Sequence, residues 1–167
     1  HNKKAKKEDH DDHGHDDHGH GQFDPHIWLD PMNAKIIVKK VTNQLSKLDK
    51  ENSSTYKSNS KKALKEIDNL IKQVKSDINN DAKVVVFHDA YQYFEKRFDA
   101  NMIGALTVNT DVLPGAEQLA EIREVIEHEK VTCVLSEPQF NPDIVKTIAN
   151  DTNINMGVLD PLGAKLD

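Results

Sequence analysis

The sequence predicts an α/β fold in which a long helix precedes a parallel four-stranded sheet with flanking helices. Residues 81–167 alternate short apolar runs with amphipathic segments of about ten residues, an order that favours parallel strands joined by helices. Residues 51–79 contain neither glycine nor proline, and at 1.5 Å per residue they would form a helix roughly 40 Å long. These two patterns fix the predicted fold class.

Residues 1–22 form a low-complexity tract that holds six of the nine histidines and only one apolar side chain, Ala5. Such a composition buries too little apolar surface to offset the entropy of ordering, so we expect a flexible loop. An expression tag or a merely solvating segment is the alternative. Histidines spaced by aspartate and glycine offer weak, exchangeable zinc sites. The expected metal-capturing side chains are His10, His13, His15, His18 and His20.

Asp30 and Pro31 predict the start of the first helix, because proline is tolerated in the first turn. Apolar residues then follow at helical spacing: Ile37, Val41, Leu45 and Leu48. Four apolar runs predict the strands, at residues 83–87, 101–108, 131–135 and 154–159. The run KVVVF at 83–87 is typical of a strand that is covered on both faces. Between the runs, the spacing predicts helices near 91–98, after Pro114 and Gly115, and over 141–151.

Charge and hydropathy exclude two classes of partner. The formal net charge of −6 argues against nucleic acid, which needs a basic face to neutralise phosphates. No run of 18 apolar residues occurs, so we expect no membrane-spanning helix. The single cysteine, Cys133, permits no internal disulfide and lies in a strand pattern, where a small buried side chain is expected.

Ionisable side chains follow each predicted strand: His88, Asp111, Glu137 and Asp160. The carboxyl ends of parallel strands meet at one edge of the sheet, where ligands bind. Imidazole with carboxylate is a standard ligand set for a divalent metal, zinc above all. The sequence therefore favours a metal site at this edge.

Each of these residues also has an ordinary explanation. His88 could cap a helix, Asp160 precedes a proline in a turn, and Asp111 could cap or turn the chain. Glu137 could orient a metal ligand from behind or bond a backbone N–H. Two further ionisable residues are not predicted to bind metal. Asp89 is predicted to cap the next helix, and His128 is predicted to complement a helix dipole.

Four segments resemble, in the same order, motifs of the zinc-uptake solute-binding proteins, the extracytoplasmic metal receptors of ABC transporters. They are DPHIWLDP (24–31), FHDAYQYFE (87–95), SEPQF (136–140) and LDPLGA (159–164). The resemblance implies two α/β lobes joined by one long helix, with zinc held in the cleft between them. It divides the chain into a His/Asp-rich loop (1–22), a remnant of the N-terminal lobe (23–50), the interlobe helix (51–80) and the C-terminal lobe (81–167). The chain would then be a fragment that lacks most of the N-terminal lobe and the extreme C-terminus.

The resemblance also implies the ligands. His26 matches the histidine of the D-P-H-x-W motif, His88 that of F-H-D, and Asp160 the aspartate that can complete the set, with Glu137 as a possible support behind them. These would be three ligands of a four-ligand site. The implied function is capture of Zn²⁺ in the periplasm or another extracytoplasmic space and delivery to the membrane permease of an ABC transporter, without enzymatic activity.

Three alternatives stay open at this point. A manganese receptor of the same transporter class resembles this chain but carries glutamate in place of His88, since harder metals prefer carboxylates. A zinc hydrolase would need an open coordination position and a base such as Glu137, and no HExxH motif is present. A surface protein for cell adhesion with an incidental metal-binding tail is the third.

Overall fold

The computed structural model of the chain describes residues 24–107 and 114–164. The expectations for the histidine-rich tract 1–22 and for Asp111 lie outside the described residues. Within these described ranges, nine regular helices and strands follow a short 3₁₀ turn at Ile27–Leu29. The helices are α1 (Pro31–Leu48), α2 (Ser53–Asp77), α3 (Gln92–Phe98), α4 (Ala116–Glu129) and α5 (Asp143–Thr152). The strands are β1 (Lys83–His88), β2 (Asn101–Thr107), β3 (Cys133–Ser136) and β4 (Asn155–Val158).

The four strands form one parallel sheet in the order β2-β1-β3-β4. This confirms the predicted α/β fold with a parallel four-stranded sheet. In the order of the strands, β1 lies between β2 and β3, and its residues Val85, Val86 and Phe87 are all buried. The prediction that this β-branched run forms a strand covered on both faces is therefore confirmed.

The two faces of the sheet are covered to different extents. On one face α4 and α5 contribute Ile122, Ile126, Val145 and Ile148 to the larger core cluster, which also contains Val85, Phe87, Leu106 and Val134. The other face carries a smaller cluster of Val86, Ala90 and Tyr91, against which Leu29 packs. The segment around His26 is thus part of the second face, although it precedes β1 by more than fifty residues.

Helix α1 begins as the Asp-Pro pair predicts. The Asp30 carboxylate accepts a hydrogen bond from the backbone N–H of Met32 at 2.8 Å, and Pro31 is the first helical residue. Arg97 of α3 donates two further hydrogen bonds to Asp30, from Nε at 2.8 Å and from Nη2 at 2.7 Å. The bonds from Arg97 hold the pKa of Asp30 below its usual range, although burial acts in the opposite direction.

Helix α2 runs for 25 residues without interruption, as the absence of glycine and proline predicts. It packs beside α1, and Lys35 pairs with Asp68 across the two helices. The apolar stripe predicted on α1 is present but stays largely open to solvent: Ile37, Val41, Leu45 and Leu48 are all exposed. Within the part of the chain that the structure describes, no helix is long and apolar enough to cross a membrane.

Three side-chain expectations have different outcomes. The cap predicted at Asp89 is wrong, because α3 starts only at Gln92 with Tyr91 in the cap position. A turn from Ala90 N–H to His88 O and a bond from Asp89 N–H to Thr107 O delay that helix.

Cys133 is half-buried rather than buried, at the start of β3 beside the edge strand β4, and burial still raises the pKa of its thiol. His128 lies exposed in the last turn of α4, as expected.

The substitution Asp30→Ala removes both the cap of α1 and the partner of Arg97. We expect the free energy of unfolding to fall by about 2–4 kcal/mol at pH 7, measured by urea denaturation. The folded pKa of Asp30 lies below its unfolded value. Its contribution is therefore complete above roughly pH 4 and is lost as the pH falls through the folded pKa, so native and variant proteins should converge in acid.

Asp151→Ala is the matched control, because Asp151 also pairs with an arginine, Arg123 Nη2, at 2.7 Å but at the surface. A surface pair contributes little to stability, so this variant should lose clearly less than Asp30→Ala. Equal losses in the two variants would contradict the role assigned to Asp30.

Candidate metal centre

Two of the three predicted zinc ligands, His26 and His88, lie side by side at the carboxyl edge of the sheet. Their ring centroids are 4.8 Å apart with the ring planes at 77°. His88 is the last residue of β1, and His26 directly precedes the 3₁₀ turn. Their side chains are 17% and 18% exposed, so both rings are mostly buried but still reachable from solvent. Two neutral imidazoles in this position can bind one divalent metal ion.

His26 is held by Asp24, a residue that the sequence reasoning did not single out. One carboxylate oxygen, Oδ1, accepts the backbone N–H of His26 at 2.8 Å and lies 2.6 Å from its ring Nδ1. Burial raises the pKa of Asp24, but the hydrogen bonds from His26 outweigh it and leave that pKa below its ordinary value. The available signal was local, since aspartate commonly bonds the backbone two residues ahead.

The segment that carries His26 is fastened to two other parts of the fold. The Tyr93 hydroxyl of α3 donates to the backbone oxygen of Asp24 at 3.1 Å. The Trp28 indole N–H donates to the backbone oxygen of Pro161 at 2.9 Å. Because Pro161 is adjacent to Asp160, this bond ties the loop of the third predicted ligand to the segment of the first.

Glu137 lies directly after β3 and is only 3% exposed. The Tyr91 hydroxyl donates to its Oε1 at 3.0 Å, and its Oε2 is 3.8 Å from Nδ1 of His88. The second distance is too long for a hydrogen bond but close enough for electrostatic attraction to a charged or metal-bound imidazole. Burial raises the pKa of Tyr91, and the negative charges of Glu137 and Asp160 raise it further.

Asp160 follows β4 and is engaged with protein groups. Its Oδ1 accepts hydrogen bonds from Gln139 Nε2 at 2.6 Å and from the backbone N–H of Leu162 at 3.3 Å. Among residues 24–107 and 114–164, no group of three or more His, Cys, Asp or Glu side chains is spaced to hold a metal ion. The structure therefore brings His26 and His88 together and leaves Asp160 on the adjoining loop, bonded to Gln139.

The chain matches the family model described as the zinc-uptake complex component A, periplasmic (ZnuA), over residues 2–167. It belongs to the ZnuA family. The family predicted from the four motifs is confirmed.

Known proteins similar to this chain include zinc-uptake components and an adhesin. It is 42% identical over 148 residues to the high-affinity zinc uptake system protein ZnuA of Brucella abortus (strain 2308), an alignment that covers 87% of this chain and 44% of that protein. A crystal structure of ZnuA superimposes with a TM-score of 0.75 at 28% identity, over 84% of this chain and 55% of that one. A mutant structure of the laminin-binding adhesin Lmb from Streptococcus agalactiae gives a TM-score of 0.73 at 27% identity, over 85% and 55% of the two chains.

The chain thus spans about half the length of the ZnuA relatives that it matches. The family model is described as a periplasmic zinc-uptake component, and the Brucella abortus relative as a high-affinity zinc uptake protein. These matches concern the family and the fold. The individual roles of His26, His88, Asp160 and Glu137 stay predictions.

Tyr91→Phe tests whether the buried carboxylate of Glu137 depends on its hydroxyl partner. Removing the donor leaves Glu137 buried with one hydrogen bond fewer, so we expect a loss of about 1–3 kcal/mol in the free energy of unfolding. Urea denaturation of the zinc-free protein measures it.

Tyr56→Phe is the matched control, because the Tyr56 hydroxyl also donates to a carboxylate, that of Asp49 at 2.7 Å, near the surface. Water can replace that bond, so the loss should be smaller than for Tyr91→Phe. The reverse order would show that Glu137 does not rely on Tyr91.

Proposed function

We propose that this chain binds Zn²⁺ outside the cytoplasm and delivers it to the membrane permease of an ABC transporter, without being an enzyme. The observation that carries the proposal is the pair of adjacent imidazoles, His26 and His88, at the carboxyl edge of the sheet in a member of the ZnuA family. Zinc is the cargo of the protein, so binding must be firm yet reversible.

The proposed ligands are His26, His88 and Asp160. Imidazole nitrogens suit zinc, and a carboxylate oxygen is a common further ligand. Asp160 accepts a hydrogen bond from Gln139, so binding through the same oxygen requires Gln139 to move or to share it. The bond from Trp28 to Pro161 keeps the Asp160 loop beside the His26 segment.

Glu137 is proposed to stabilise His88 through Nδ1, the ring nitrogen that does not bind the metal. It is buried, and the Tyr91 hydroxyl fixes it 3.8 Å from the ring nitrogen Nδ1. A metal ion on the opposite nitrogen makes Nδ1–H a stronger donor, and a carboxylate at this position would stabilise the loaded state. The histidines of the tract, His10, His13, His15, His18 and His20, are proposed to collect zinc weakly before it reaches this site.

We further propose the lobe assignment that the resemblance implies. Helix α2 lies within the interlobe helix 51–80 and is about 37 Å long at 1.5 Å per residue. The parallel sheet lies within residues 81–167, the proposed C-terminal lobe, while residues 23–50 belong to the N-terminal lobe. The packing of Leu29 on the sheet supports a close association between these two parts.

The alternatives are not favoured. The curated relatives named above are zinc-uptake proteins, and a pair of imidazoles suits zinc better than manganese, which prefers oxygen ligands. A hydrolase would need Glu137 free to act as a base, whereas it is buried and bonded to Tyr91. The similarity to a laminin-binding adhesin lies in the fold and identifies no adhesive surface on this chain.

Isothermal titration with Zn²⁺ tests the proposal in the full chain with the six histidines of residues 1–22 changed to serine. We expect one zinc ion per chain in this tract-serine protein, and loss of stoichiometric binding in the His26→Ala, His88→Ala double variant, because both imidazoles are ligands.

His128→Ala is the control, since His128 is 86% exposed at the end of α4 and should leave the titration unchanged. If the double variant still binds one zinc ion, the assignment of His26 and His88 as zinc ligands is contradicted. Displacement of zinc by a modest excess of Mn²⁺ would instead favour the manganese alternative.

A further inference from the structure

We propose that Asp24 is a positioning residue for zinc binding, which holds His26 in the tautomer with hydrogen on Nδ1 and leaves Nε2 free for the metal. The inference rests on the proposed function and adds a residue outside the predicted ligand set. Asp24 acts on the metal only through the histidine ring.

The contact geometry selects the tautomer. An ionised carboxylate can only accept hydrogen bonds, and Asp24 Oδ1 lies 2.6 Å from Nδ1 of His26. The hydrogen of the neutral ring must therefore be on Nδ1, and the lone pair of Nε2 stays available. The other tautomer would bring two lone pairs together at that distance.

The same oxygen also fixes the ring in space. It accepts the backbone N–H of His26 at 2.8 Å as well as facing the ring, so one atom restrains both the backbone and the side chain of the same residue. The rotamer freedom of His26 is then restricted before any metal binds, and less conformational entropy remains to be lost on binding.

Asp24 is itself held in place. Its side chain is 7% exposed, and its backbone oxygen accepts the Tyr93 hydroxyl at 3.1 Å. Pro25 restricts the backbone next to it, and a turn from Ile27 N–H to Pro25 O at 2.7 Å follows. The carboxylate therefore has a defined position relative to α3, and it transmits that position to His26.

His88 has no equivalent restraint from Glu137. The distance from Nδ1 of His88 to Glu137 is 3.8 Å, against 2.6 Å for the contact between His26 and Asp24. Tyr91 already occupies one oxygen of Glu137. His26 is thus the more strongly oriented of the two rings. Loss of the Asp24 carboxylate should therefore lower the affinity for zinc.

Asp24→Ala in the tract-serine protein tests the inference. Alanine removes the carboxylate oxygen that faces both the backbone N–H and Nδ1 of His26, so the ring loses the contact that favours hydrogen on Nδ1. We expect the zinc Kd to rise about 10–100-fold, the usual effect of removing such a support. In the zinc-free protein, the ¹⁵N chemical shifts of the His26 ring should show that the Nδ1–H form is no longer dominant.

Asp30→Ala is the matched control. Asp30 is the other Asp-Pro aspartate of the segment and is also buried, but it bonds Arg97 and Met32 rather than a histidine. This variant should lose stability in urea, keep the Nδ1–H form of His26 and hold the zinc Kd within about twofold of the parent.

The outcomes separate the inference from the proposed function. An unchanged Kd in Asp24→Ala overturns the positioning role, and so does a weakened Kd with the tautomer unchanged, which would indicate a merely structural effect. If His26→Ala retains the parent Kd, the proposed ligand set fails instead, while the ring ¹⁵N shifts still decide whether Asp24 sets the tautomer.

Discussion

The candidate site depends on the attachment of residues 24–30 to the carboxyl edge of the sheet. Trp28 bonds Pro161 across 133 positions of sequence, and Tyr93 bonds Asp24 across 69. Each bond joins this short segment to an element that belongs to the α/β sheet region. Without them, nothing in the local sequence would keep His26 beside His88. The geometry of the site therefore depends on contacts between residues far apart in the sequence.

Buried carboxylates determine the electrostatic character of this edge. Burying a charge is unfavourable unless partners compensate for it, and Asp30 has such a partner in Arg97. Asp24 and Glu137 instead receive hydrogen bonds from neutral groups, namely the His26 backbone and the Tyr91 hydroxyl. Both carboxylates lie beside the two imidazoles, and negative charge at these positions favours a cation. The metal ion would complete the charge balance that the protein groups leave open.

The sequence allowed some of this to be predicted and not the rest, for physical reasons. The strand at β1 and the position of His88 follow from a local apolar run and from the topology of parallel sheets. The Asp30 cap follows from an Asp-Pro pair. The bonds from Tyr91 to Glu137 and from Gln139 to Asp160 join residues 46 and 21 positions apart, and no local period encodes such pairs. The cap predicted at Asp89 failed because a turn at His88 and Ala90 competes with the helix.

Diffraction at the zinc absorption edge from crystals of the zinc-loaded tract-serine protein tests the central claim most directly. That claim is that His26 and His88 share one zinc ion at the carboxyl edge of the sheet. The account predicts a single anomalous peak at about 2.0–2.1 Å from one ring nitrogen of each histidine. A peak bound by only one of the two rings, or lying away from both, would contradict it.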